Sequence, residues 1–360
     1  MAPRGALYFG APAHDTPPRM GFPLPIYNVP RAPAAPSVER ASPRSVRVSV
    51  TDRCDMACVY CRPSLRDGYL PAADRLDVDQ WETLVAGLVR EGVRRVRITG
   101  GEPLLFRDVV EVVARVRALG VDDLALTTNG VRLDAMAAPL RAAGLRRVTV
   151  SLDSLDPERF WRITRGGDLA AVLRGVDAAL AAGFDEVKTN TVVLRGDNDD
   201  ELPRITQWAW AKGVTPRFIE VMGVGEGGHI WRDKLVPARE QRDKLAHLLA
   251  DVPGVRDPDR GPSKYVPARD GGGRRVGFIT GSSDTYCAGC DRLRATSDGV
   301  LRPCLATNDG VDVADDLRAG ADAEAVAERL REAWAMKPDG DWNGCTEETA
   351  RAVNMRATGG

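Results

Sequence analysis

The chain has 360 residues, of which 43% are hydrophobic and 28% charged, and its formal net charge at pH 7 is −1. This composition is typical of a folded globular protein with one large core or two smaller ones. A near-neutral charge excludes a general attraction to nucleic acid or anionic membranes, so an anionic partner needs a local basic site. The chain has no long apolar run and no secretory-type leader, which predicts a cytoplasmic protein that does not bind a membrane.

Residues 1–42 are rich in proline, which removes backbone donors and blocks helices and sheet ladders. We expect a disordered or polyproline-type arm without a chemical role. Another stretch rich in Pro and Gly, residues 253–273, marks a second boundary. The predicted parts are the arm 1–42, a main domain 43–252, a C-terminal region 253–350 and a tail 351–360.

From Val46 onward, short β-branched segments alternate with amphipathic helical segments. The predicted strands are Val46–Val50, Arg94–Thr99, Asp123–Thr128, Arg146–Leu152, Glu186–Val193 and Thr215–Val221. The predicted helices lie near 78–91, 106–119, 133–143, 157–164, 169–182 and 199–212. Repeated βα units predict a parallel sheet that closes, or partly closes, into a barrel, with functional residues at the carboxyl ends of its strands.

Three cysteines, Cys54, Cys58 and Cys61, follow the first predicted strand with C-x3-C-x2-C spacing. Soft thiolates suit an iron–sulfur cluster or zinc. A structural zinc site normally has four protein ligands, whereas three leave one metal position open for another molecule. We interpret this set as an iron–sulfur loop, with three free buried cysteines as the alternative.

A second set, Cys287, Cys290 and Cys304, has C-x2-C-x13-C spacing and follows a predicted strand at 274–280. Zinc is the alternative here, with Cys345 as the fourth ligand, because no histidine is near in sequence. Otherwise Cys345 is a plain thiol. Six of the seven cysteines fall into these two sets, which favours cluster ligation in a reducing compartment over disulfides.

Gly100-Gly101-Glu102-Pro103 follows the second predicted strand. Alone it is typical of a turn, but glycine lets a backbone approach a ligand and Glu102 can accept from an ammonium group. Arg292 and Arg294 share one face of an extended segment, and their guanidinium groups suit phosphate. Further basic residues on predicted strands are Arg47, Arg95, Arg97 and Lys188.

The first cysteine loop, with Tyr60 directly before Cys61, resembles the radical S-adenosylmethionine (SAM) superfamily. The resemblance implies that Cys54, Cys58 and Cys61 hold a [4Fe–4S] cluster whose fourth iron binds SAM. Reduction then cleaves SAM to a 5'-deoxyadenosyl radical. The SAM contacts that the resemblance implies are Tyr60, Gly100, Gly101, Glu102, Ser151 and Met222, of which the Gly-Gly-Glu residues hold the amino group.

Both cysteine sets, the C-x2-C-x-R-x-R pattern and the closing Gly359-Gly360 together resemble the GTP 3',8-cyclase family of molybdenum cofactor biosynthesis, over residues 44–360. The resemblance implies an α/β fold, an incomplete (βα)6 TIM-like barrel of the radical SAM type with a C-terminal auxiliary-cluster region. Cys287, Cys290 and Cys304 would hold a second [4Fe–4S] cluster whose open iron meets guanine, and the closing glycines would return to the active site.

The implied reaction takes hydrogen from C3' of the GTP ribose, and the carbon radical attacks C8 of guanine to give 3',8-cyclo-7,8-dihydroguanosine 5'-triphosphate. The implied GTP contacts are Arg47, Arg97, Thr127, Lys188, Arg292, Leu293 and Arg294, of which Arg292 and Arg294 also count as catalytic. The implied partners are a flavodoxin-like or other low-potential electron donor and a downstream cyclic pyranopterin monophosphate synthase. A homodimer is left open.

Asp55, Ala57 and Arg62 depart from the usual residues of the family, which leaves the cluster potential and partner docking open. Two other functional classes also remain. A peptide-modifying radical SAM maturase with an auxiliary cluster would generally carry more cysteines. A non-enzymatic iron–sulfur electron carrier or redox sensor would ligate its clusters fully with cysteine.

Overall fold

A computed structural model describes residues 42–63, 68–257, 261–338 and 355–358. Nearly all of the predicted arm 1–42, together with Cys345 and the closing Gly359-Gly360, lies outside these described residues. Our expectations for those segments therefore stay predictions.

Six parallel strands in chain order form the middle of the sheet. They are β1 (Ser45–Ser49), β2 (Arg95–Thr99), β3 (Asp123–Thr128), β4 (Arg147–Ser151), β5 (Glu186–Val193) and β6 (Thr215–Glu220). The helices between them are α1 (Val78–Arg90), α2 (Val109–Ala118), α3 (Leu133–Ala142), α4 (Pro157–Thr164), α5 (Leu169–Ala181) and α6 (Leu202–Ala211). Each predicted strand and helix of this series is confirmed.

Two helices begin later than predicted, for local reasons. Before α2, the segment Pro103–Leu105 forms a separate 3-10 turn, so the helix itself begins at Val109. The first turn of α6 contains Pro203, a position where the missing amide of proline leaves no helical hydrogen bond unmade. The apolar spacing alone does not mark these starts.

The chain after β6 adds strands to both sides of this parallel series. On one side β9 (Arg275–Ile279) pairs parallel with β6, and on the other β10 (Arg292–Ala295) pairs parallel with β1. Antiparallel strands extend each side: β7 (Val255–Arg256), β8 (Lys264–Pro267), β11 (Val300–Arg302) and β12 (Val311–Asp312). The result is the predicted incomplete βα barrel, and the C-terminal region belongs to the same 12-stranded sheet.

Further helices follow β6. They are α7 (Gly227–Lys234), α8 (Ala238–Lys244), α9 (Ala314–Arg318), α10 (Ala323–Ala335) and a C-terminal turn, Met355–Thr358. Short 3-10 turns lie at Ala72–Asp74, Pro103–Leu105 and Cys287–Gly289. Within the described residues, no helix combines the length and apolar character needed to cross a membrane.

The main hydrophobic core lies between the sheet and the helices on its outer side. Val46 and Val48 of β1 are fully buried there, as is Trp81 of α1. Helix α10 packs closely on α1, because Gly87 brings the two helices together: a Cβ atom there would lie 2.7 Å from Val326 Cγ1. The chain after the second cysteine set is thus fixed to the outside of the barrel.

Candidate active site

The first cysteine loop begins where β1 ends, at the carboxyl edge of the parallel strands. Its three cysteines are half-buried and form no disulfide within the described residues, and all three line the central cavity of the barrel. The end of α4 holds this loop in place. The Ala57 amide donates to Thr164 O at 3.1 Å, and the Val59 amide donates to Ile163 O at 2.9 Å. The predicted metal ligands are therefore fixed in the cavity wall.

The Gly100-Gly101 pair lies directly against the backbone of this loop. The Gly101 amide donates to Thr51 O at 2.6 Å. A Cβ atom at Gly100 would lie 2.7 Å from Thr51 O, and one at Gly101 would lie 2.7 Å from Asp52 O, so a larger residue does not fit. Both glycines also line the cavity, but the contact that requires glycine is with the cysteine loop.

Glu102 is only 1% exposed, and its carboxylate is engaged within the fold. It accepts hydrogen bonds from the Thr128 hydroxyl (2.6 Å), the Asn129 amide (2.6 Å) and the Leu104 amide (3.0 Å). Burial raises the pKa of Glu102 to about 7, although these hydrogen bonds oppose the shift. Glu102 thus ties the glycine turn to the end of β3, and its contact with the SAM amino group stays a prediction.

Three other predicted SAM contacts, Tyr60, Ser151 and Met222, line the same cavity. Sequence reasoning missed Asp153, which also lines it and is 2% exposed. The Tyr60 hydroxyl donates to Asp153 Oδ2 at 2.6 Å, and the Val192 amide donates to Asp153 Oδ1 at 2.9 Å. Asp153 thus joins the cysteine loop to the end of β5, and Tyr60 and Asp153 are themselves 93 positions apart in the chain.

Three arginines lie side by side across neighbouring strands, and we call them the arginine row: Arg294 of β10, Arg47 of β1 and Arg97 of β2. Arg47 is the register partner of both Arg294 and Arg97. All three line the cavity. Burial, and then the neighbouring arginines, lower the pKa of Arg47, while burial and Arg217 lower that of Arg97 to about 9. These groups stay protonated at neutral pH, so the row concentrates positive charge.

Thr127 and Lys188 lie near the arginine row but differ in their setting. Thr127 lines the cavity, and its hydroxyl accepts from Arg97 at 3.4 Å. Lys188 is 4% exposed and pairs with Glu186 at 2.8 Å. Burial, followed by the charge of Arg217, lowers the pKa of Lys188 to about 8. Thr127 therefore faces the cavity with the arginine row, whereas Lys188 lies beside Arg217 and Glu186 and does not line the cavity.

Leu293 is a predicted GTP contact that, like Lys188, does not line the cavity. Its side chain is fully buried in the main hydrophobic core, opposite its register partner Val46. The residues on either side, Arg292 and Arg294, do line the cavity. Because side chains alternate along a strand, a Leu293 contact with a ligand is limited to its backbone.

Sequence reasoning also missed Arg217 and Tyr286, which line the cavity too. Arg217 of β6 is 4% exposed, and it donates to the Thr149 hydroxyl at 3.1 Å. The guanidinium carbon of Arg292 lies 4.6 Å from the centre of the Tyr286 ring, and the Tyr286 hydroxyl lies 3.8 Å from the Met222 sulfur. Tyr286 therefore lies between a predicted SAM contact and a predicted GTP contact.

The second cysteine set surrounds the start of β10 and the end of β11. Cys287 opens a 3-10 turn, and the Cys290 amide donates to Cys287 O at 3.0 Å. Cys304 follows β11 and packs among Val224 and Ala306. These cysteines are also half-buried, and none is in a disulfide in the part of the chain that the structure describes. Tyr286, Arg292 and Arg294 beside them open into the same cavity as the first set.

The two sets differ in electrostatics. Burial raises the pKa of Cys54 to about 12 and that of Cys58 well above its usual value, with nearby Glu102 and Asp153 adding to the respective shifts. Burial acts in the same direction on Cys290, but Arg292 and Lys337 outweigh it and lower the pKa of Cys290 to about 6. The surroundings of Cys290 are therefore electropositive, whereas those of Cys54 and Cys58 are not.

The C-terminal turn Met355–Thr358 reaches the arginine row. Met355 lines the cavity, and Arg294 Nη1 donates to Thr358 O at 2.8 Å. Gly359 and Gly360 follow outside the described residues, so their predicted return to the active site remains a prediction.

Two of the sequence departures have defined partners. Asp55 accepts from Asn129 Nδ2 at 2.6 Å, which anchors the cysteine loop to the residue after β3. Arg62 is 2% exposed; it donates to Cys54 O at 3.3 Å and to the Tyr69 hydroxyl at 2.7 Å. Both residues brace the loop through its backbone or its neighbours.

Both cysteine sets have the donor chemistry that iron–sulfur clusters require: soft, half-buried thiols with none paired in a disulfide within the described ranges. Among those same residues, no group of three His, Cys, Asp or Glu side chains is arranged to hold a single metal ion. The thiolates of a cluster bind different irons, so they need not converge on one point. Zinc ligation through Cys345 involves a residue outside the described part of the chain.

Sequence comparisons agree with this fold and site. The Radical SAM superfamily profile matches residues 48–209, and the profile "Molybdenum Cofactor Synthesis C" matches residues 214–342. Proteins named GTP 3',8-cyclase from Pelotomaculum thermopropionicum and Rhizobium meliloti are 42% and 41% identical to the chain. The alignments cover 82% and 88% of this chain, and 91% of each relative.

The fold, the first cysteine loop and the profile match define a radical SAM enzyme. Such an enzyme uses a [4Fe–4S] cluster and SAM. At this identity and coverage, the chain belongs to the GTP 3',8-cyclase family.

Comparison of solved structures supports the fold alone. The crystal structure of Streptococcus suis SuiB bound to S-adenosylmethionine matches with a TM-score of 0.56 at 15% identity. The match covers 76% of this chain and 64% of SuiB. A second SuiB structure, bound to the precursor peptide SuiA, gives a TM-score of 0.55. At this identity the likeness carries no information on substrate.

The contact between Gly101 and the cysteine loop leads to a test. The added methyl group of Gly101→Ala would displace the cysteine loop from its contact with this glycine. We therefore expect the reconstituted chain to lose the first cluster and about half of its iron. Iron and sulfide analysis after anaerobic reconstitution measures this loss. Gly68→Ala is the control, because its added Cβ meets no described atom within 4 Å. Full iron content in Gly101→Ala would contradict this reading of the glycine pair.

Proposed function

We propose that this chain is a GTP 3',8-cyclase, which converts GTP to 3',8-cyclo-7,8-dihydroguanosine 5'-triphosphate in molybdenum cofactor biosynthesis. Family membership supports the reaction class. The observation that carries the proposal is the arginine row, which lines one cavity together with the first cysteine set and the residues around the second. A polyanionic substrate is the ligand that such a row suits.

In this proposal each cysteine set holds one [4Fe–4S] cluster. Cys54, Cys58 and Cys61 would hold the SAM-binding cluster, and Cys287, Cys290 and Cys304 the second. When bound, the first cluster and SAM supply a 5'-deoxyadenosyl radical that removes hydrogen from ribose C3'. Tyr60, Gly100, Gly101, Ser151 and Met222 form the wall assigned to SAM.

The remaining residues bind and orient GTP. The product requires a new bond between ribose C3' and guanine C8 of one nucleotide, so the site must hold triphosphate, ribose and base together. The arginine row, with Lys188 and Arg217, fixes the triphosphate by charge and hydrogen bonds. Arg292 stacks on Tyr286 between the proposed triphosphate position and the second cysteine set. We assign the guanine to the end of the site beside that second set.

Partners and setting follow from the same chemistry. We propose a flavodoxin-like or other low-potential protein as the electron donor, and cyclic pyranopterin monophosphate synthase as the user of the product. The proposed location is the cytoplasm, and a homodimer is the assembly to test by sedimentation. We propose that the functional parts of the chain are residues 1–42, 43–252, 253–350 and 351–360.

The lining of the cavity favours neither of the two competing functional classes. A peptide-modifying maturase has no need for several arginines facing one cavity, and the SuiB likeness extends to fold only. An electron carrier has no need for a cavity lined by both basic residues and a cysteine set.

The direct test of the function is anaerobic reconstitution followed by incubation with SAM, reductant and GTP. We expect 5'-deoxyadenosine and the cyclised nucleotide in equal amounts, because one hydrogen abstraction gives one product. Chromatography and mass spectrometry measure both. Formation of 5'-deoxyadenosine without any GTP-dependent product would remove the cyclase proposal and leave radical SAM chemistry intact.

Charge removal in the cavity tests the assigned GTP contacts. Arg292→Ala, Arg294→Ala and Arg217→Met should each raise the Kd for GTP by about 10- to 100-fold, the loss expected for a charge-assisted phosphate contact. Cleavage of SAM without GTP should persist. The control is Arg331→Ala, because Arg331 is 56% exposed and pairs with Glu91 outside the cavity. Unchanged GTP affinity in the cavity variants would contradict the assignment of these arginines as GTP contacts.

Lys188 predicts a pH dependence. Its pKa of about 8 in the ligand-free protein means that the ammonium is charged below this pH and neutral above it. Affinity for GTP should therefore fall as the pH rises from about 7 to about 9, and Lys188→Arg should remove this fall because arginine stays charged. Equilibrium binding across this range measures the effect. Equal pH profiles for the wild type and Lys188→Arg would contradict the prediction.

A further inference from the structure

Lys337 follows helix α10 and reaches the second cysteine set. Its ammonium donates to Arg292 O at 2.8 Å and to Pro303 O at 2.6 Å. Its side chain also makes a hydrogen bond with Cys290. These three partners match the three donors of a lysine ammonium.

The partners of Lys337 belong to two different segments. Arg292 and Cys290 lie on the segment that leads into β10, whereas Pro303 directly precedes Cys304 at the end of β11. The antiparallel β10–β11 pair also joins these segments. A single side chain therefore links Cys290 to the segment that carries Cys304.

Lys337 is itself held in place from the outside of the barrel. Its amide donates to Trp334 O at 3.0 Å, and its ammonium lies 4.9 Å from the centre of the Trp334 ring. Helix α10, which carries Trp334, is packed against α1 through the close contact of Gly87 with Val326. Lys337 thus connects the packed helices α1 and α10 to the second cysteine set.

We propose that Lys337 is a positioning residue for the second [4Fe–4S] cluster: it fixes the spacing of Cys290 and Cys304 and places a positive charge beside their thiolates. This proposal rests on the two-cluster enzyme proposed above. Thiolate ligands carry negative charge into a half-buried site, and a nearby cation offsets it. The same cation favours the reduced, more negative state of the cluster and so raises its reduction potential.

The test compares Lys337→Met, Lys337→Arg and Lys212→Met in the full chain after anaerobic reconstitution. Lys212 pairs with Asp177 away from both cysteine sets, so Lys212→Met is a control with the same change in charge and size. The measurements are iron and sulfide per chain, the midpoint potentials of both clusters by electron paramagnetic resonance, and SAM cleavage without GTP.

We expect Lys337→Met to bind about half the iron of the wild type while still cleaving SAM, because the first cluster does not depend on Lys337. Any second cluster that remains should have a lower midpoint potential. Lys337→Arg, which keeps the charge and the donors, should restore both properties. Lys212→Met should match the wild type.

Three results would overturn the proposal. One is full iron content with unchanged potentials in Lys337→Met. Another is loss of both clusters together in Lys337→Met and Lys337→Arg, which would mark a residue needed only for the fold. The third is a wild-type chain with about four irons, since no second cluster would then exist. A different result separates the two proposals. If the wild type holds about eight irons but forms no cyclised product, the cyclase proposal alone is wrong. The comparison of the Lys337 variants then still tests the role of Lys337.

Discussion

The arginine row is the constraint on which the rest of the site depends. Like charges at neighbouring register positions repel, and burial adds to the cost, as the lowered pKa of Arg47 indicates. Beside the row, Glu186 pairs with Lys188, Arg147 and Arg275, and Arg97 itself donates to the hydroxyl groups of Thr127 and Thr149. In the proposed function, a bound triphosphate offsets positive charge of the row. The pairing of β10, β1 and β2 sets the spacing of the three guanidinium groups for this role.

The parallel pairing of β10 with β1 also fixes where the two cysteine sets lie. The first set follows the carboxyl end of β1, whereas Cys287 and Cys290 precede the amino end of β10, beside the start of β1. The two sets therefore lie toward opposite ends of the strands that line the cavity. The two sets also differ in how readily their thiols lose a proton. Cys54 and Cys58 need bound iron to lose their protons, so loading of the first cluster should release protons. Cys290 is already favoured as a thiolate by Arg292 and Lys337.

Much of the fold and the ligand sets could be predicted from sequence, because the signals were local. Periodicity predicted the six βα units, and cysteine spacing predicted both candidate ligand sets. Arg217 and Asp153 were missed because their importance comes from contacts between strands distant in the chain. The short strands β7, β8, β11 and β12 lack a clear alternation of their own and form by pairing with longer neighbours. The internal hydrogen bonds of Glu102 and the core position of Leu293 could not be predicted, because a motif gives residue identity but not the direction of a side chain.

The central claim is that one cavity brings a radical made at the first cysteine set to a GTP molecule held by the arginine row. The most direct test uses GTP with deuterium at ribose C3' in a single anaerobic turnover. The account predicts that the deuterium appears in 5'-deoxyadenosine, in an amount equal to the cyclised nucleotide. Formation of 5'-deoxyadenosine without deuterium, with the labelled GTP recovered unchanged, would contradict it.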